Sequence, residues 1–125
     1  MEKHDLRNKD DIKVLVDAFY DKVNQDELLA PVFNDFAGVD WESHLPKMYD
    51  FWSTILFADG DYKGSPFDKH IPLPIDKTHF DRWLSLFIAT IDELFEGETT
   101  ESTKIRAQSI AHIFQSKLEY INRKK

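Results

Sequence analysis

Apolar and polar positions follow a helical period over most of the chain. In DDIKVLVDAFYDKVNQ, residues 10–25, the apolar side chains Ile12, Leu15 or Val16, Phe19 or Tyr20, and Val23 recur at steps of three and four. That spacing predicts a helix with one buried stripe. Asp10 and Asp11 supply a cap and first-turn acids, and Asn24-Gln25-Asp26 loosens the far end. In the following LLAPVFNDF, Pro31 is placed to open one further helical turn, with Phe33 pointing inward. Residues 41–57 carry apolar or aromatic side chains at 41, 45, 48, 51, 52, 55 and 56, and His44 falls into the same register. Pro46 lacks the N–H that a helix interior uses and disfavours helical geometry at Leu45. The regular helix is therefore expected to begin near Ser43, with Pro46 in its first turn, or else to kink beside His44.

Between Ala58 and Ile75 the period is lost. Gly60, Gly64, Pro66, Pro72 and Pro74 divide this stretch into turns, with room for one helical turn around Pro66 to His70. Asp76 is a good N-cap, with Ile75 before it and Phe80 after it spaced as a hydrophobic staple. Phe80, Trp83, Phe87, Ile91 and Leu94 then mark a helix that Gly97 stops. Thr99, Thr100 and Ser102 offer caps for a last helix whose inner face is expected at Ile105, Ile110, Phe114, Leu118 and Ile121. The fold class is all-α, with four substantial helices and one long irregular connection. A connection of that length inside a small domain is usually functional or disordered. Phe67, Ile71 and Leu73 within it favour a packed, functional one.

Composition narrows the function. A chain of 125 residues, 42% hydrophobic and 31% charged, suits one folded domain spanning 1–125, with residues 1–8 expected as a flexible N-terminal segment. The net charge of −7 repels phosphate backbones and anionic membrane surfaces, so neither nucleic acid nor a membrane is an expected partner. The charged start has no apolar run behind it, and no stretch approaches the ~20 apolar residues of a membrane span. A cytoplasmic location is expected. The absence of cysteine excludes disulfides, thiolate nucleophiles, iron–sulfur clusters and cysteine-ligated haem. Any metal must therefore rely on His or on oxygen ligands.

Tyr20, His44 and Trp83 fall on the inward stripes of three different helices, and each has an apolar body with a hydrogen-bonding tip. A buried polar tip without a partner costs about 1–3 kcal/mol, so three of them suggest a shared pocket. Taken singly, each also reads as ordinary packing or a satisfied core residue. His70 taken alone reads as an exposed loop residue. With Phe67 three before it and Ile71 after it, one short turn can present an apolar face and the imidazole together, as a ligand position in a dry site.

The segments FYDKV with Tyr20, LLAPVFN with Phe33, WESHLPKMYDFW with His44 and Trp52, YKGSPFDKH ending in His70, and HFDRWLSLF with Trp83 are specific in combination. In that combination the chain resembles the truncated haemoglobins of group III across nearly its whole length. The resemblance implies a shortened globin fold in which two helix pairs sandwich a non-covalent haem b. It implies His70 as the proximal iron ligand, Tyr20, His44 and Trp83 as distal residues, and Phe33 as the aromatic that props the porphyrin. Phe19, Met48, Phe51, Phe67, Phe87 and Phe114 are candidates to cover the haem faces, although several read equally well as core. Lys69 and Arg82 are candidate partners for the propionates.

For function, the resemblance implies the binding of O2, NO, CO or peroxide at a five-coordinate iron. Two distal donors, Tyr20 and Trp83, favour redox chemistry of such ligands over simple transport. A nitric oxide dioxygenase-like or peroxidase-like activity is one form this takes, and it requires a reductase partner that the sequence does not identify. His44 reads as a third donor or as a swinging gate. Two alternatives stay open: a helical interaction or sensor module without turnover, and a non-haem metal site drawn from His44, His70, His79 or His112. The histidine spacings match no standard zinc motif.

Overall fold

A computed structural model of the chain describes residues 3–36, 38–58 and 75–123, and the regular structure among them is helical. Helix α1, Lys9–Gln25, is capped by Asn8, whose side chain accepts from the Asp11 N–H at 3.1 Å, ahead of the aspartates expected to do so. Both members of each ambiguous pair, Leu15 and Val16, Phe19 and Tyr20, are buried along with Ile12 and Val23. The reason is tertiary: α1 is covered by two other helices at once. After it, the Asp26 carboxylate accepts from the Leu28 and Leu29 N–H groups, and a π-helical turn at Val32–Phe36 stands where one α-helical turn was expected.

Helix α2, Trp41–Phe57, begins two residues ahead of Ser43, so Pro46 lies inside it. The Asp40 carbonyl accepts from both Ser43 N–H and His44 N–H, which closes a first turn ahead of the proline. What Pro46 removes is the single link from position 46 back to the Glu42 carbonyl. Helix α3, Lys77–Leu94, starts as expected at Asp76, which accepts from the Thr78 N–H at 2.9 Å. His79 completes a capping box by accepting from the Asp76 N–H, and Ile75 packs with Phe80. Helix α3 ends at Leu94, ahead of the glycine expected to stop it.

Helix α4, Glu98–Arg123, corrects two expectations. Its N-terminus is capped by Asp5 from the far end of the chain, whose carboxylate accepts from Thr99 N–H, Thr100 N–H and the Thr100 hydroxyl at 2.7–2.8 Å. Burial pushes the Asp5 carboxyl up, but these bonds and one from the Leu6 N–H outweigh it and hold the group below the usual carboxylate range. Gly97, at φ +135°, lies against this carboxylate: a Cβ there would stand 2.6 Å from Asp5 Cγ. Residues 3–8 thus differ from a loose terminus, with Leu6 only 2% exposed and the His4 carbonyl accepting from the Glu96 N–H. The inner face of α4 is Thr100, Thr103, Ala107, Ala111 and Leu118, while Ile105, expected inside, is 63% exposed. Small side chains let α4 lie close on α3, and that approach sets its rotation.

Helix α1 packs on α2, α3 packs on α4, and α1 on α3 joins the two pairs. That pairing is the two-on-two arrangement that the resemblance implies. Trp52 of α2 crosses to α3 by stacking on Phe87, with ring centroids 5.0 Å apart. Among the described residues no helix is long and apolar enough to cross a membrane.

Candidate functional site

Four rings from three elements meet where α1, the π-helical turn and the start of α2 converge. Tyr20 lies 5.7 Å from Phe33, 5.2 Å from Trp41 and 5.6 Å from His44, measured between ring centroids. Trp41 stacks on Phe33 at 5.7 Å and meets His44 edge-on at 5.6 Å. Helical spacing explains the pair on α2, since positions three apart share a face. Desolvation raises the Tyr20 pKa well above that of an ordinary tyrosine, so the phenol stays neutral and keeps its proton to donate. Trp83, on α3, stands one ring away: Phe19 touches Tyr20 at 4.9 Å and Trp83 at 5.7 Å.

Of the other residues singled out from the sequence, Phe19 and Phe87 are 2% and 1% exposed, at the centre of the core, and back the aromatic cluster. Met48 and Phe51 are half-buried on α2, and Phe114 is half-buried beside Phe80, Ala111 and Leu118. Arg82, expected near propionates, reaches Asp26 at 3.6 Å. His70, Phe67 and Lys69 lie outside the described residues. His79 is engaged in the α3 cap and His112 is exposed on α4, and among the described residues no three His, Asp or Glu side chains gather to hold a metal.

Residues 6–116 match the family model described as bacterial-like globin. The chain is 36% identical over 120 residues to the group 3 truncated hemoglobin ctb of Campylobacter jejuni, covering 93% of this chain and 94% of that one. It superposes with a TM-score of 0.86 on the crystal structure of a group III truncated hemoglobin from Campylobacter jejuni, at 36% identity and over 94% and 95% of the two chains. The chain belongs to the bacterial-like globins, in their group III truncated haemoglobin branch. A group 1 truncated hemoglobin, GlbN of Nostoc commune, is 35% identical over 71 residues, 56% of this globin and 58% of that protein.

Globins of this family take haem b as cofactor and bind small diatomic ligands such as O2. The residues of this globin fit such a group on two counts. Helix α2 carries Leu45, Met48, Phe51 and Leu56, which pack against the core and stay part-exposed, apolar side chains suited to a porphyrin face. Against Trp41 and His44 of the same helix stands the buried Tyr20, whose neutral hydroxyl is the donor that a polar diatomic calls for. Trp41 is a site residue that sequence reasoning missed, although it lies in the register of His44. Asn34 is another: its Oδ1 accepts from Trp41 Nε1 at 2.9 Å. No local pattern marks that bond, because it joins a turn to a helix start.

Proposed function

We propose that this globin binds O2 and related diatomic ligands at a five-coordinate haem iron held by His70, and uses them for redox chemistry with nitric oxide or peroxide instead of simple carriage. The observation that carries the reading is the buried, neutral Tyr20 hydroxyl beside His44. Haem, when bound, would supply an iron able to take a diatomic ligand and to exchange an electron. Phe33 and the half-covered face of α2 hold the apolar ring and exclude water. Tyr20 O–H and Trp83 Nε1–H donate toward negative charge on the ligand, and in a site shielded from water such donors stabilise it strongly. Because burial keeps the Tyr20 proton in place, that donor persists across the physiological pH range.

Two donors slow ligand release, which suits conversion better than delivery. The redox reading adds an electron donor, a reductase acting on this single domain in the cytoplasm, and Lys69 as the propionate partner in preference to Arg82. The test has three arms. His70→Ala is expected to lose the Soret band of the purified protein, and an unchanged spectrum would remove His70 as ligand. Tyr20→Phe is expected to raise the O2 off-rate severalfold, and an equal rate takes Tyr20 out of the donor set. Mixing the O2-bound protein with nitric oxide in a single turnover is expected to give rapid nitrate formation, and slow or absent nitrate overturns the redox role.

A further inference from the structure

The first turn of α2 carries His44, and Pro46 weakens its attachment to the rest of the helix by removing the link from position 46 to the Glu42 carbonyl. A turn tied less firmly from behind depends more on what holds it in front. That anchor is Trp41, the first residue of α2, whose indole N–H donates to Asn34 Oδ1 at 2.9 Å while its ring stacks on Phe33 and stands edge-on against His44. Asn34 is itself fixed in orientation. Its Nδ2 donates to the Ala30 carbonyl and to Asn24 Oδ1, both at 3.0 Å, which leaves only Oδ1 facing the tryptophan. Two side-chain hydrogen bonds, Asn34 to Asn24 and Trp41 to Asn34, thus link the end of α1 through the π-helical turn to the start of α2.

We infer that Trp41, latched by Asn34, is a positioning residue that holds His44 across the ligand path and so sets how fast diatomic ligands enter. The inference rests on the haem reading and assigns His44 the part of a gate. The indole packs on Phe33 and against the imidazole, so the Asn34 bond, by fixing the indole, holds His44 in place. Breaking the latch raises the population of the open gate.

The test is the CO association rate of the ferrous haem protein, measured after flash photolysis. Asn34→Ala, at an exposed position, is expected to speed association about fivefold, equivalent to about 1 kcal/mol at 1.4 kcal/mol per tenfold. Trp41→Phe, which keeps a ring but deletes the N–H, is expected to do the same, and the double variant to add nothing further. In a His44→Leu background the Asn34→Ala change is expected to leave the rate unmoved, an outcome that a merely structural role would not produce. Equal rates in the wild type and Asn34→Ala, or an acceleration undiminished by His44→Leu, overturns the latch while the haem reading stands. Absence of a Soret band in the wild type sinks both.

Discussion

Helices α1 and α2 are each 17 residues long and lie against one another, yet they are finished differently. Helix α1 buries six side chains, Ile12, Leu15, Val16, Phe19, Tyr20 and Val23, between two neighbours. Helix α2 buries only Trp52 and Ser53, and its Leu45, Met48, Phe51 and Leu56 stay half-covered. Each fully buried large side chain contributes about 1.5–3 kcal/mol, so packing against its neighbouring helices holds α1 strongly. Helix α2 packs apolar side chains against the core yet leaves them part-exposed, and under the proposed function haem completes their burial. Beside the aromatic contacts of Tyr20 with Trp41 and His44, two polar links cross between the helices: Lys9 pairs with Asp50, and the Tyr49 hydroxyl donates to Asp17.

The comparison is broken most forcefully in the core. Phe19→Ala is expected to cost about 3–5 kcal/mol in thermal or urea unfolding, because its ring touches Tyr20, Trp83 and Phe87. Phe51→Ala is expected to cost clearly less in haem-free protein than in haem-loaded protein; equal costs in the two forms would deny α2 its proposed part in holding haem. Haem removal is expected to speed amide exchange in α2 by about tenfold or more while sparing α1, since ligand release withdraws stability where the ligand is held. Uniform loss across both helices would count against the contrast.

Smaller effects sharpen it. The Ser53 hydroxyl is fully buried with no hydrogen-bond partner among the described residues, so Ser53→Ala is expected to raise stability by about 1 kcal/mol, and a loss instead would reveal a hidden partner. The weakest lever is alkaline pH. Desolvation, together with the bond to the Asp17 carboxylate, pushes the Tyr49 phenol up to about 12 from 10.0. The fold therefore favours the neutral form. Its contribution is complete below pH 10.0 and is lost as pH rises through about 12. Melting followed across that window should show a modest decline that Tyr49→Phe lacks.

How much of this was legible depends on the range of the interaction. The α3 start at Asp76 and the inward stripe of α1 were readable, because caps and periodicity act within four or five residues. Pro46 argues locally for a start near Ser43 or a kink, whereas the doubly accepting Asp40 carbonyl closes a turn ahead of it. The α4 cap was misassigned to local threonines because the group that caps it, Asp5, lies 94 residues from Thr99 in the chain. Ile105 was turned inward on hydrophobicity alone, whereas close packing on α3 selected Thr103, Ala107 and Ala111. At the site, Tyr20, Phe33 and His44 were named from the sequence and meet in the structure, while the Trp41–Asn34 bond was invisible.

By itself the sequence determined that the chain is helical, which stripes are apolar, and which few polar-tipped rings lie on them, since these depend on local sterics and side-chain chemistry. Tertiary structure alone decided which side chains those stripes bury, which distant carboxylate closes α4, and which neighbours surround Tyr20. Those outcomes depend on how closely two helices approach and at what rotation, and that is fixed by packing between residues far apart in the chain, where no local period carries information.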